Sequence, residues 1–239
     1  SITGAEALLR WDHPEKGPIS PSQFVPLAEE IGLISDIGEW SLELIGGQLN
    51  RIRDEKDRPL NISINISQSQ FNVRLVEYLK ELKEKNLIPI ENLTLELTEN
   101  ILLQSNDTNM HLINSLKSMG VSLSIDDFGT GFSSLSYLTR LPLDQLKVDR
   151  SFVLNLNDEK SSGNIISAII AMTSSLDLEL VCEGVENKHQ CEFLGSKGAK
   201  LIQGYLFSEP VSGERLLQML KPGFYLDQLA QLKLNKRLS

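Results

Sequence analysis

Two hydrophobic rhythms alternate along the chain. Runs in which apolar residues alternate or nearly fill the stretch occupy 3–11, 60–67, 93–98, 121–127, 145–149, 178–183 and 199–204. Such runs read as strands, and their Val, Ile and Leu content suits strands buried on both faces. Between them, apolar residues return every three to four positions in 24–31, 40–52, 71–87, 110–119, 165–176 and 188–194, the spacing of amphipathic helices. Strand and helix therefore take turns. That predicts an α/β fold with a parallel sheet and crossover helices, either doubly wound or closed as a barrel. Seven strand-like runs are one short of an eight-stranded barrel, and the chain begins almost directly on a strand. After Pro222 and Gly223 the pattern becomes amphipathic with a Lys/Arg end, which predicts a helical extension over 223–239 beyond a principal domain of 1–222.

Composition narrows the picture. With 239 residues and 41% hydrophobic content the chain can bury a full core. A formal charge of -9 disfavours unaided binding to a DNA or RNA backbone, and an anionic substrate would need bound cations as bridges. The two cysteines, Cys182 and Cys191, have no zinc-type spacing, and Cys182 sits in a strand-like run as a buried thiol. No apolar stretch reaches the length of a membrane span and the N-terminus lacks a signal-peptide pattern. The expected setting is the cytoplasm, alone or as the cytoplasmic part of a larger, membrane-anchored protein.

Candidate chemistry collects at the strand ends: Glu6; Asn65; Glu96, with Glu99 beyond it; Asp126 and Asp127; Lys147 and Asp149; Glu183, with Glu186 beyond it; and Gln203. In a parallel barrel all strand C-termini open on one face, so residues distant in sequence converge there. The set is rich in oxygen ligands, carries one ammonium and lacks histidine, which suits Mg²⁺ or Mn²⁺ rather than zinc or copper. His13, His111 and His189 stand at no ligand spacing. One metal on Glu6, Asn65, Glu96 and Asp126, and a second on Asp126, Asp127 and Glu183, would make Asp126 a bridge. Two such ions roughly 3.5–4 Å apart suit phosphoryl transfer by water.

Each residue also has a plainer reading. A single strand-end Glu is more often a cap or a solvated group, Asn65 fits an Asx-turn, and Gln203-Gly204-Tyr205 fits a turn or bulge. Lys147 between Leu146 and Val148 is harder to dismiss, because an ammonium inside a strand buried on both faces is costly without carboxylates around it.

The ordered motifs are Glu6-Ala7-Leu8-Leu9-Arg10-Trp11, Pro21 through Glu29, Asn65-Ile66-Ser67-Gln68, Glu96-Leu97-Thr98-Glu99, Asp126-Asp127-Phe128-Gly129-Thr130-Gly131, Lys147-Val148-Asp149, Glu183-Gly184-Val185-Glu186 and Gln203-Gly204-Tyr205. Together they resemble the EAL-domain cyclic di-GMP phosphodiesterases. The resemblance implies a modified (β/α)8 TIM-like barrel that opens cyclic di-GMP to linear pGpG with two Mg²⁺ or Mn²⁺ ions. It places Glu6, Asn65, Glu96, Asp126, Asp127 and Glu183 as metal ligands, and Lys147 and Gln203 beside the nucleophilic water. Water activation falls either to Glu183 or to the metals alone. Leu8, Arg10 and Phe24 resemble substrate contacts, Glu99 and Asp149 loop-positioning residues, and the 126–134 loop the link between metal site and dimerisation. A homodimer, and a sensor or cyclase domain in a longer chain, are implied partners. Family members carry a helix and a first strand before the strand that bears Glu6, and neither is present in this chain. Two alternatives remain beside hydrolysis: a silent cyclic di-GMP receptor, and a barrel enzyme that stabilises an enolate with Mg²⁺.

Overall fold

Leu93, Leu95 and Leu97 are each 0% exposed and share a strand with buried Thr94 and Glu96. A strand buried on both faces belongs in the middle of a sheet that is covered on both sides. The structure, a computed structural model, describes residues 1–55, 60–103, 107–129, 138–157, 160–221 and 224.

Nine strands are described: β1 (Gly4–Ala7), β2 (Trp11–His13), β3 (Gly17–Ile19), β4 (Asn61–Ile66), β5 (Leu93–Thr98), β6 (Ser122–Phe128), β7 (Gln145–Val148), β8 (Glu179–Cys182) and β9 (Leu201–Ile202). Seven form one sheet in the order β1-β4-β5-β6-β7-β8-β9, every adjacent pair parallel. A doubly wound sheet reverses its strand order part-way, whereas here each strand is added on the same side as the last. That is barrel winding. The sheet curls far enough that Gln203, just past β9, donates to Glu6 of β1 at 2.7 Å across 197 positions of sequence. The two edge strands thus meet through side chains, and neither holds a fully buried residue, whereas each strand between them does.

Helices cover the outside: α1 (Pro21–Glu30), α2 (Ile34–Glu55), α3 (Val73–Glu84), α4 (Glu99–Leu103), α5 (Asp107–Met119), α6 (Arg150–Leu154), α7 (Lys160–Ser175), α8 (Lys188–Ser196) and α9 (Gly213–Met219). In α3, Leu75, Leu79 and Leu82 make the buried stripe, and the Asn72 side chain caps the helix by accepting from Arg74 N at 2.9 Å. The six periodic segments correspond to α1, α2, α3, α5, α7 and α8, while α4, α6 and α9 are too short to announce a period. The run 3–11 also differs from expectation. It ends as a sheet strand at Ala7, and Trp11 opens an antiparallel β2–β3 hairpin whose indole packs edge-on against Phe24 with ring centroids 5.7 Å apart.

Among the described residues no helix is long and apolar enough to cross a membrane. The helical extension expected over 223–239 lies outside the described residues except for Phe224, whose ring is 4.9 Å from the Arg215 guanidinium.

The strand order makes a testable difference between positions. Leu95→Ala in β5 is expected to cost about 2–5 kcal/mol in urea denaturation, and Ile202→Ala in edge strand β9 clearly less. Equal losses would contradict the central and edge placements.

Candidate active site

In parallel strands the side chains of adjacent chains line up in register, and a residue is followed on the same face two positions later. Asn65 of β4 stands opposite Glu96 of β5, Thr98 of β5 opposite Asp126 of β6, and Lys147 of β7 opposite Val181 of β8. Glu183 follows β8 directly, its N–H donating to Val148 O at 3.3 Å. Register and curl together bring these side chains to one end of the sheet.

Lys147 is their meeting point. Its Nζ lies 2.6 Å from Glu183 Oε1, 2.8 Å from Glu96 Oε2, 3.3 Å from Glu6 Oε2 and 3.4 Å from Asp126 Oδ1. Its side chain is only 3% exposed. Asn65 and Gln203 each donate to one oxygen of Glu6 at 2.7 Å and so fix that carboxylate from both sides. Burial disfavours the Lys147 charge, but the surrounding Glu96, Glu183, Glu6 and Asp126 outweigh it and raise its pKa. For Glu6, burial is outweighed by Lys147 and by the hydrogen bonds from Gln203 and Asn65, so its pKa is lowered.

One ammonium cannot balance four carboxylates. Burial pushes Glu96 up to about 8, with Lys147 opposing and the charges of Glu6 and Asp126 adding. Glu183 is pushed up to about 7 in the same way, chiefly by burial, with Lys147 opposing and Asp126 adding. The site is short of positive charge.

Asp126 and Asp127 are separated by backbone rather than by sequence. The β6–β7 register shifts between Ile125 and Phe128, and Asp127 has φ 54°, a left-handed conformation uncommon for a non-glycine residue. Asp126 is buried with Lys147, while Asp127, at the bulge, is exposed and its N–H donates to Asp126 Oδ1 at 2.9 Å. Burial, then Asp126 and Asp149, raise the Asp127 pKa.

The structure thus gathers Glu6, Asn65, Glu96, Asp126, Lys147, Glu183 and Gln203, with Asp127 at the margin. It does not bring Arg10 to them: the Arg10 guanidinium donates to Leu9 O at 2.7 Å. Leu8 is exposed, whereas Phe24 is buried against Trp11. Asp149 caps α6 by accepting from Ser151 N at 3.0 Å. Glu99 opens α4 directly after β5. The loop it was expected to position lies outside the described residues from 130 to 137. Sequence reasoning missed Gln190, a buried amide tied to the loop after Glu183. The Asn187–Gln190 spacing at a helix start was the available signal.

A divalent cation fits this donor set. Glu96 Oε1 is buried with no hydrogen-bond partner among the described residues, and the ligand-type atoms are carboxylate and amide oxygens, the preference of hard ions. Among the described residues no three Asp, Glu, His or Cys side chains already stand in metal-holding arrangement, because the acids are drawn onto the ammonium instead.

The family model described as the EAL domain matches residues 1–210. The chain belongs to the EAL domain family. This EAL domain is 43% identical over 217 residues to the bifunctional diguanylate cyclase/cyclic di-GMP phosphodiesterase MucR of Pseudomonas aeruginosa, covering 90% of this chain and 32% of that protein. It is 41% identical to the cyclic di-GMP phosphodiesterase NbdA of the same organism, covering 90% of this chain and 28% of that one. The EAL domain thus spans about a third of the length of these curated relatives. A solved structure titled a MucR phosphodiesterase in complex with c-di-GMP superposes with a TM-score of 0.84 at 42% identity, covering 88% of this chain and 86% of that one. Its fold is therefore the TIM-like barrel type read from the strand order.

The charge imbalance in this EAL domain predicts a pH dependence. Between the ordinary carboxylate value of 4.5 and about 8, folded Glu96 keeps a proton that the unfolded chain has lost. The folded state then binds more protons, so stability falls as pH rises through that window. With chelator present, the melting temperature is expected to drop from pH 5 to pH 8, and Glu96→Gln to flatten the drop. An unchanged slope in the variant would contradict this assignment.

Proposed function

We propose that this EAL domain hydrolyses cyclic di-GMP to linear pGpG. The observation that carries the reading is the convergence of Glu6, Glu96, Asp126 and Glu183 on Lys147, with Asn65 and Gln203 clamping Glu6. Such a buried surplus of carboxylate has little structural purpose unless cations complete it, and an anionic phosphodiester benefits from the same cations. The names of MucR and NbdA, both of which include cyclic di-GMP phosphodiesterase, support the choice of substrate.

In this reading Glu6, Asn65, Glu96 and Asp126 hold one Mg²⁺ or Mn²⁺, and Asp126, Asp127 and Glu183 hold a second. When bound, the ions supply charge neutralisation and Lewis acidity at the scissile phosphate. Asn65 and Gln203 keep the two Glu6 oxygens in fixed directions, which preserves the pocket while the substrate exchanges. Lys147 offers its N–H donors to the attacking water or to a phosphate oxygen. The proton that water loses passes either to Glu183, whose carboxylate lies 2.6 Å from Lys147 Nζ, or to solvent where the ions alone activate the water. Water adds to phosphorus, the bond to the 3′ oxygen breaks, and that oxygen takes up a proton to give the linear dinucleotide.

Leu8, Arg10 and Phe24 border the substrate in the proposal. Arg10 then exchanges its Leu9 carbonyl for a phosphate, a stronger charge-assisted partner. Glu99 and Asp149 are assigned to positioning the loops around the site. The domain is further proposed to act as a homodimer and within a longer chain; the cyclase named in MucR, of whose length this chain spans 32%, supports the longer chain.

The test is incubation with cyclic di-GMP and Mg²⁺ or Mn²⁺, followed by chromatography of the nucleotides. Linear pGpG is expected from the unaltered protein, and Glu6→Ala is expected to lower kcat/KM by about 10²-fold or more. Binding of cyclic di-GMP without product under either metal would overturn hydrolysis. Full activity in Glu6→Ala would overturn the site.

A further inference from the structure

Gln190 is 2% exposed, yet both ends of its amide are engaged. Its Oε1 accepts from Glu186 N at 2.8 Å and from Asn187 N at 3.2 Å, and its Nε2 donates to Val153 O at 3.3 Å. In a common capping box the third helical residue serves only the N-cap backbone N–H. That box is present here, with Asn187 Oδ1 accepting from Gln190 N at 3.0 Å. The extra bonds to Glu186 and Val153 are not part of it. They join the loop that follows Glu183 to helix α6, which starts three residues after Lys147.

The same loop is pressed on both sides. Gly184 has φ 69°, and a Cβ there would lie 2.4 Å from Arg150 Cβ at the start of α6. Opposite, Val185 N donates to Gln203 O at 3.0 Å and Leu206 N donates to Val185 O at 3.0 Å. Residues 183–186 therefore form a wedge between the segment after Lys147 and the segment that carries Gln203. A buried amide bonded at both its oxygen and its nitrogen transmits position well, because each lost bond leaves a desolvated polar group behind.

We propose that Gln190 is a positioning residue, which pins the Glu183 loop to α6 and so fixes Glu183, Lys147 and Gln203 relative to one another. It touches neither substrate nor metal in this account. Its effect on turnover rests on the phosphodiesterase reading, while the contact geometry does not.

The test compares Gln190→Met, which keeps side-chain length and removes both hydrogen-bonding ends, with Lys117→Met. Lys117 pairs with Asp144 at the far, N-terminal end of β7 and serves as a stability control. Gln190→Met is expected to lower kcat for cyclic di-GMP about tenfold or more. KM should move by less than about threefold, the pattern of an interaction lost from the transition state alone. Lys117→Met is expected to lose melting temperature and keep kcat. Gln190→Glu retains the acceptor for Glu186 and Asn187 and loses the amide donor to Val153, so its kcat should fall between those of Gln190→Met and the unaltered protein. It also decides the matter should Gln190→Met fail to fold.

Equal kcat in the unaltered protein and both Gln190 variants would overturn the proposal, as would a kcat loss in Lys117→Met matching that of Gln190→Met. An unaltered protein without turnover would end the phosphodiesterase reading instead. The positioning role is then decided by a crystal structure of a Gln190 variant: loss of the 2.6 Å contact between Glu183 and Lys147 supports it, and an unshifted contact overturns it.

Discussion

A buried ammonium facing four carboxylates sets the terms for the rest of this molecule. Lys147 alone would be costly at its depth, and Glu6, Glu96, Asp126 and Glu183 alone would repel one another. Together they are tolerable but unbalanced, and Glu96 records the imbalance most clearly because it is the deepest of the acids. A group of this kind exists only where several strands deliver charged side chains to one point. The curl of the parallel sheet does that, with β1, β5, β6, β7 and the end of β8 each contributing. Gln203 and Asn65 then convert the approach of the sheet edges into a fixed direction for Glu6.

The surrounding backbone is arranged to protect that meeting point. The bulge at Asp127 lets two consecutive acids take different environments, which an undistorted strand would also do by alternation but without preserving the later pairing of Phe128 with Val148. The loop after Glu183 is wedged between α6 and the turn after β9, so three of the strand ends share one rigid junction. Leucine-rich β5 and its neighbours supply the stiff support beneath.

Much of this was legible in the sequence for physical reasons. Strands buried on both faces give near-continuous apolar runs, and a Lys or Glu interrupting such a run stands out, as Lys147 and Glu96 do. The choice between a doubly wound sheet and a barrel was not legible from periodicity, since both alternate strand and helix; the ordered motifs implied the barrel by resemblance, and the monotonic strand order shows it. The run 3–11 hid its break because Leu8 and Leu9 prolong the apolar pattern past the point where the strand leaves the sheet. Helices α4 and α6 are five residues each and give no period. The left-handed backbone of Asp127 and the long-range bond of Gln190 depend on tertiary packing, so no local pattern encodes them. Arg10, read as a phosphate partner, donates to the Leu9 carbonyl in this structure.

The most direct measurement is calorimetric titration of the metal-free protein with Mn²⁺ at pH 7 in buffers of different ionisation enthalpy. If the carboxylates around Lys147 form a cation site, Mn²⁺ binds and displaces protons held by Glu96 and Glu183, so the observed heat changes with the buffer. Glu96→Gln should weaken binding and reduce the number of protons released. Absence of Mn²⁺ binding, or binding and proton release unchanged in Glu96→Gln, would contradict the account at its centre.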